Sequence, residues 1–278
     1  MKNILLTGSG GFIGQHLKTH LHGYNLFTPR SSQLNLLDER AVTDYLSAHH
    51  IDFIIHSASY GVRITPDATL EEVAKPNITM FENLARFHIP MITLGSGAEY
   101  DKRQNLHLVS EDDFGKSVPQ DPYGYSKYLI SKQIEKLDHV LNLRLFGIYG
   151  LGEHPSRVTY YILQQIAKKE TISLRQNVVF DFLYIEDFCK IVCHFTEHFP
   201  AEKFINAAPS ESISIVDLAR RTVQELNANV PVQTEQPGLN NEYTADNSRL
   251  LTYLPGFAFT SYAQGMRQYY KQLLNTPL

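Results

Sequence analysis

Tyr123-Gly124-Tyr125-Ser126-Lys127, continuing as Tyr128-Leu129-Ile130-Ser131-Lys132-Gln133-Ile134-Glu135, decides how the rest of the chain is read. Leu129, Ile130 and Ile134 recur near helical spacing, which predicts a helix with Tyr123 and Lys127, four residues apart, on one face. An ammonium then lies beside a phenol. A free tyrosine, with a pKa of about 10, is a poor proton donor and acceptor at neutral pH, and an adjacent cation stabilises its phenolate. The same spacing also arises on many helices as a plain exposed pair, so the argument depends on what precedes it.

Residues 3–7 form a short apolar run, and Thr7-Gly8-Ser9-Gly10-Gly11-Phe12-Ile13-Gly14 then opens a helix predicted through about Leu21. Strand, glycine turn and helix in that order is the setting of a dinucleotide site. Gly8 permits the turn, Gly11 lets the backbone approach a pyrophosphate, and Gly14 permits close helix–strand packing, with the ligand on the helix N-terminus at Phe12 and Ile13. A second strand is predicted at Tyr24 to Thr28. NAD-binding versions place a carboxylate after it for the ribose 2′-hydroxyl, yet residues 1–37 contain no Asp or Glu, while Pro29-Arg30-Ser31-Ser32 supplies a guanidinium and two hydroxyls. NADP is therefore expected, with NAD possible.

Leu34-Asn35-Leu36-Leu37 reads as a third strand, and Asp38 caps a helix from Glu39 to about His49. Phe53-Ile54-Ile55-His56 is the next strand, ending in Ser57-Ala58-Ser59, small residues that let a cofactor pass. A helix from Asn77 to His88 leads to Met91-Ile92-Thr93-Leu94, and Leu141 to Phe146 forms a sixth strand. Apolar strands alternating with helices predict an α/β fold with a parallel, doubly wound Rossmann sheet. Ser96, just beyond the fifth strand, lies where ligands bind in such sheets.

Length, at 278 residues, allows one large domain or a domain with a smaller companion. A hydrophobic content of 43%, charged content of 19% and net charge of −4 suit a soluble protein and give no support to nucleic-acid binding. The apolar runs are too short to span a membrane, and the first strand leads into a glycine loop rather than a cleavage site, so a cytoplasmic protein is expected. The two cysteines, Cys189 and Cys193, sit four apart in an apolar helical run and are expected to pack rather than to bind metal or pair. His20, His22, His49 and His50 fall near predicted helix ends, where solvated side chains are expected, and no metal site is predicted.

Thr7-Gly8-x-x-Gly11-x-x-Gly14, Ser96, Tyr123-x-x-x-Lys127 and Arg144-Leu145-Phe146-Gly147-Ile148-Tyr149-Gly150, in this order, resemble the extended short-chain dehydrogenase/reductases that act as nucleotide-sugar epimerases, dehydratases and reductases. Arg30 and Leu34 to Asp38 are similar to the NADP-dependent GDP-fucose synthase branch. The resemblance implies that Ser96 and Tyr123 bind the substrate oxygen, that Lys127 binds the nicotinamide ribose and lowers the tyrosine pKa, and that Asn35 and Leu36 lie near adenine. Ser57, Ala58 and Phe146 complete the implied cofactor contacts. It further implies a Rossmann domain over residues 1–150, with returns near 178–208, a smaller α/β substrate-binding lobe mainly over 151–278, and a homodimer packed through the helices at Asn77 and Tyr123.

Two departures bear on the substrate. Phe180, in Phe180-Asp181-Phe182-Leu183-Tyr184-Ile185-Glu186-Asp187, replaces an arginine that commonly meets the substrate's nucleotide part, and Gly147 replaces a frequent asparagine. Arg157 and Arg175 are the lobe arginines left to meet a diphosphate, and Glu99 is a further candidate substrate contact. Ser214 caps a helix through Leu226, Asn227 to Glu242 reads as a surface excursion, and a last helix spans Tyr262 to Leu274.

The function these features imply is NADP-dependent reduction of a nucleotide-linked sugar, a 4-keto-6-deoxy sugar destined for surface polysaccharide. A rival is an NAD-dependent 4-epimerase, disfavoured by the missing ribose carboxylate. A second rival, a non-catalytic NADP sensor, is disfavoured by retention of Ser96, Tyr123 and Lys127. GDP-fucose synthase also carries an acid–base pair that epimerises C3 and C5. Ala98 and Arg157 stand at the matching positions, so reduction without epimerisation is expected unless Glu99 acts as the base.

Overall fold

Four strands of the first 145 residues are buried almost end to end, which requires cover on both faces and accounts for their continuous apolar runs. The computed structural model describes residues 1–60 and 69–275. In chain order the elements are β1 (Asn3–Thr7), α1 (Phe12–His20), β2 (Asn25–Phe27), α2 (Glu39–Ala48), β3 (Phe53–His56), α3 (Leu70–Ala85), β4 (Met91–Ser96), β5 (Leu106–Val109), α4 (Pro122–Ile134) and β6 (Val140–Leu145). There follow β7 (Ile148–Tyr149), α5 (Val158–Lys168), β8 (Ile172–Asn177), β9 (Val179–Phe180), β10 (Leu183–Tyr184), α6 (Ile185–Glu197), β11 (Phe204–Ala207), β12 (Ile213–Ser214), α7 (Ile215–Glu225), β13 (Val232–Leu239), β14 (Tyr243–Ala245), α8 (Ser248–Tyr253) and α9 (Tyr262–Asn275).

The chain forms two compact units. The first takes Met1–Arg103, Ser110–Leu145 and Cys189–Asn206; the second takes Gln104–Val109, Phe146–Phe188 and Ala207–Leu278. The first is built on a six-stranded sheet in the order β11-β6-β4-β3-β1-β2, with β2, β1, β3, β4 and β6 paired in parallel. One face is closed by α2, α3 and α4, where Val42, Met80, Phe81, Leu84, Ile130 and Ile134 pack over Leu5, Ile54, Met91 and Val140. On α6, Thr196 O accepts from Lys2 Nζ at 2.7 Å and Glu197 accepts from the Tyr24 hydroxyl at 2.9 Å, which ties this helix to the β1–β2 edge. Cys189 is buried there and Cys193 partly so, and they form no disulfide with each other.

The expected third strand at Leu34–Leu37 does not form. Gln33 N and Leu34 N donate to Arg30 O, Asp38 N donates to Asn35 O, and the Asn83 side chain takes Leu36 O at 2.9 Å, so local turns use the groups a ladder would need. Leu34 and Leu36 are instead two apolar pegs in the core under α2 and α3. The chain crosses from β2 past β1 to β3, giving the order 2-1-3-4, with its reversal between β1 and β3. α3 starts at Leu70, earlier than the expected Asn77, because Thr69 and Glu72 form a capping box and Pro76 is accommodated inside the helix.

In the second unit β12, β9, β14 and β5 form one sheet, β10 pairs with β7, and β13 pairs in parallel with β8. The expected excursion at Asn227–Glu242 thus contains a strand, exposed along most of its length. Among the described residues no helix is long and apolar enough to cross a membrane, and no cluster of side chains could hold a metal ion.

Candidate active site

β1 and β3 end side by side at the reversal of strand order, the place where open α/β sheets bind ligands. Gly8 turns there with φ of +68°, and a Cβ on it would come within 2.5 Å of Ala58 N, so the β1 and β3 exits touch through backbone alone. Thr7 Oγ1 lies 2.8 Å from His56 Nδ1 and accepts from Ala58 N at 3.3 Å. Gly11 N donates to Gly8 O at 3.0 Å to close the turn, and a Cβ on Gly14 would overlap that same carbonyl. The N-cap Gly11 offers no side-chain acceptor and the first turn of α1 carries no acid. The amides of Phe12 and Ile13 are left for an anionic ligand, so the residues present fit a pyrophosphate.

Around that cradle, Ser57 and Ala58 are half-buried. Arg30 is exposed in the turn after β2, braced by its own amide donating to Gln33 Oε1 at 2.9 Å. Asn35 is exposed and its Oδ1 accepts from Leu37 N, whereas Leu36 is buried in the core, which leaves its backbone rather than its side chain to meet a ligand.

On the other side of β3, Asp121 caps α4 through Gly124 N at 2.8 Å and Pro122 occupies its first turn. Tyr123 and Lys127 share a face, with the Lys127 ammonium 5.8 Å from the centre of the tyrosine ring. Lys127 is 7% exposed and donates to Leu94 O at 2.7 Å, two residues before Ser96 on β4. Burial pulls its pKa down to about 8, with the charge of Glu99 acting in the opposite direction. Burial, with the nearby Lys127 charge adding to it, pushes His56 down to about 3, so this imidazole is neutral. Ser96 begins a tight turn, Gly97–Tyr100, in which its Oγ accepts from Ala98 N at 3.2 Å. A Cβ on Gly124 would come within 2.9 Å of Ala98 O, so the turn of Ser96 and the helix of Tyr123 meet backbone to backbone.

Ser96, Tyr123 and Lys127 thus lie in one unit, with Lys127 bonded to the strand that ends at Ser96 and the turn of Ser96 packed against the helix of Tyr123. The motif pattern does not reveal Lys102, whose ammonium lies 5.9 Å from the Tyr123 ring centre, because a lysine in a turn carries no spacing signal. Glu99, expected to face a substrate, is instead fully buried and accepts from Ser96 N at 2.9 Å and Arg144 Nε at 2.8 Å. A signal for that is present in the sequence: an arginine within Val140-Leu141-Asn142-Leu143-Arg144-Leu145, a strand buried throughout, needs a buried anion.

The remaining expected site residues belong to the second unit. Arg157, at the N-cap of α5, and Arg175, on β8, are exposed. Phe146 is buried with its ring 5.0 Å from Tyr243, and Phe180 stacks between Tyr243 and Phe182 at 4.7 and 4.8 Å. A Cβ on Gly147 would come within 2.9 Å of the Phe180 ring and 2.6 Å of Asp181 O. The glycine at 147 and the aromatic residue at 180 are therefore one packing change rather than two.

A glycine cradle at the end of β1 and a tyrosine–lysine pair on α4 fit a nucleotide-dependent oxidoreductase of the extended short-chain dehydrogenase/reductase class. The NAD dependent epimerase/dehydratase family matches residues 4–208, and the chain belongs to it. It is 22% identical over 276 residues to an ADP-L-glycero-D-manno-heptose-6-epimerase of Pseudomonas paraeruginosa, covering 85% of this chain and 81% of that protein. A shorter match of 57 residues, 44% identical, to the GDP-L-colitose synthase of Yersinia pseudotuberculosis covers 20% of this chain and 18% of that one. Among solved structures, the GDP-mannoheptose C4 reductase of Campylobacter jejuni with NADP bound superposes with a TM-score of 0.82 at 15% identity, over 99% of this chain and 98% of that one.

Proposed function

We propose that the protein is an NADP-dependent reductase of a nucleotide-linked keto-sugar, with a 4-keto-6-deoxy sugar as the favoured substrate. What supports this reading is Lys127, buried beside the Tyr123 ring and bonded to the strand that ends at Ser96, together with a glycine cradle in a chain whose first 37 residues hold an arginine and no acid. NADPH, when bound, supplies the hydride that reaches the carbonyl carbon. Tyr123 gives its phenolic proton to the carbonyl oxygen, Ser96 holds that oxygen through its hydroxyl, and Lys127 stabilises the phenolate left behind. Gly8, Gly11, Gly14 and the amides of Phe12 and Ile13 would hold the pyrophosphate of a bound NADPH and Arg30 would meet its 2′-phosphate; Asn35, Ser57, Ala58 and Phe146 are the further proposed cofactor contacts. Arg157 and Arg175 are the proposed partners of the sugar diphosphate. Ala98, fully buried, has no proton to move, so reduction proceeds without epimerisation at C3 or C5.

The reading includes a homodimer through α3 and α4, which sedimentation velocity tests, and a cytoplasmic enzyme serving polysaccharide synthesis. Its direct test is a panel of nucleotide 4-keto-6-deoxy sugars incubated with NADPH in D₂O, with products identified by NMR. A reduced C4 carrying no solvent deuterium at C3 or C5 is expected; no reduction of any member defeats the reading.

A further inference from the structure

Gly95 has no room for a side chain: a Cβ there would overlap Asn142 Oδ1 and come within 2.6 Å of Glu99 Oε1. The space is filled by the Glu99 carboxylate, toward which four groups direct hydrogens. Ser96 N donates to Oε1 at 2.9 Å, Ser131 Oγ and Arg144 Nε donate to Oε2 at 2.5 and 2.8 Å, and Asn142 Nδ2 lies 3.3 and 3.4 Å from the two oxygens. Donors alone around a carboxyl group suit its anion, which accepts and cannot donate. Arg144, itself fully buried, is held in turn. Its Nη1 donates to the Tyr100 hydroxyl at 2.9 Å, and its guanidinium carbon lies 4.5 Å from the ring centres of both Phe114 and Phe204. With its lone pairs so engaged, Glu99 is badly placed to act as a base toward a substrate.

The same carboxylate sits against the reacting group. Ser131 follows Lys127 by one turn of α4. Along β4, Leu94 O takes the Lys127 ammonium, Gly95 packs on the Glu99 carboxylate, and Ser96 N donates to it. We propose that Glu99, fixed by Arg144, is a positioning residue: it locks the Ser96 end of β4 to the Tyr123–Lys127 helix and is the counter-charge of the buried Lys127 ammonium. The direction of its influence agrees with this geometry, since burial lowers the Lys127 pKa and the Glu99 charge acts against that burial. Among the described residues, the titratable or charged groups placed near the pair include the neutral His56 from β3, Tyr100 from the turn, Tyr123 from α4, Arg144 from β6, and Lys102 beside the Tyr123 ring.

The inference rests on Ser96, Tyr123 and Lys127 being the reacting group, but its test needs no substrate. Protein carrying ¹³Cε-lysine is titrated by NMR, with Lys127→Met assigning the resonance, in the parent and in Glu99→Gln. The Lys127 midpoint is expected to fall by on the order of one unit in Glu99→Gln, and Glu99→Asp is expected to restore it. An unchanged or raised midpoint overturns the proposal. Should Glu99→Gln fail to fold with Arg144 left buried and uncompensated, the double variant Glu99→Gln/Arg144→Met removes both charges; the Lys127 midpoint is again expected to fall, by less than with Arg144 present because loss of that cation acts in the opposite direction, and an unchanged or raised midpoint overturns the proposal. A parent inactive on every keto-sugar would defeat the reductase reading and leave this titration intact.

Discussion

Tyr123, the second residue of its helix, has two ammonium groups near its ring centre, Lys127 at 5.8 Å and Lys102 at 5.9 Å. Two cations favour the phenolate, and the buried one does so in a setting of low dielectric where each charge counts for more than in water. Replacing the phenol should therefore remove the proton donor without disturbing the fold or the glycine cradle. Tyr123→Phe is expected to bind NADPH as the parent does, by fluorescence titration, while turnover falls by about 10²–10⁴-fold. Turnover within a few-fold of the parent would take Tyr123 out of the chemistry. Spacing makes the shared face of this pair legible in the sequence, because a four-residue interval on a helix fixes it, while a use for the pair is legible only beside the glycine motif that precedes it. Glu99 is not legible in the same way: next to Ala98 in a turn, its facing depends on Gly95 and Arg144, which reach it only through the folded sheet.

At the scale of elements, uninterrupted apolar runs mark the central strands correctly because burial on both faces leaves no alternative composition. Leu34–Leu37 has the same composition and is no strand. Its carbonyls and amides are spent on Arg30, Asn35 and the distant Asn83 side chain, a competition that local pattern does not reveal. One consequence falls on the turn itself. Arg30 stays exposed at the head of a segment pinned by Leu34 and Leu36, so its guanidinium can reach a phosphate while its backbone is braced by Gln33. Arg30→Ala is expected to weaken NADPH binding by roughly 1.5–3 kcal/mol and to leave NADH binding nearly unchanged, as isothermal titration would read. Equal losses for the two cofactors would mean that Arg30 supports the turn rather than reading the 2′-phosphate.

Across the whole molecule, two buried acids of the second unit make stability fall as pH rises, against the buried neutral His56, whose contribution is lost as pH falls. Burial pushes Asp181 up to about 7 despite hydrogen bonds from Ser212 Oγ and Ala245 N at 2.6 and 2.8 Å, and it pushes Glu153 up to about 7 despite its bond from Thr159. Both folded values lie above the ordinary carboxylate range near 4, so the folded state holds the extra protons. The stability they contribute is present below about pH 4 and is lost as pH rises through about 7. Urea unfolding should accordingly show the parent's stability falling relative to that of Asp181→Asn/Glu153→Gln between about pH 4 and 7; parallel curves would contradict the assignment.

The claim on which the functional account depends is net reduction of a sugar carbonyl. It is met most directly by supplying [4-²H]NADPH, labelled on the transferred position, together with a nucleotide 4-keto-6-deoxy sugar, and following both cofactor absorbance and product NMR. The account predicts one NADPH oxidised per product molecule, with deuterium retained at C4 of the sugar. Conversion of a nucleotide sugar to its epimer with no net loss of NADPH and no deuterium gained would contradict it.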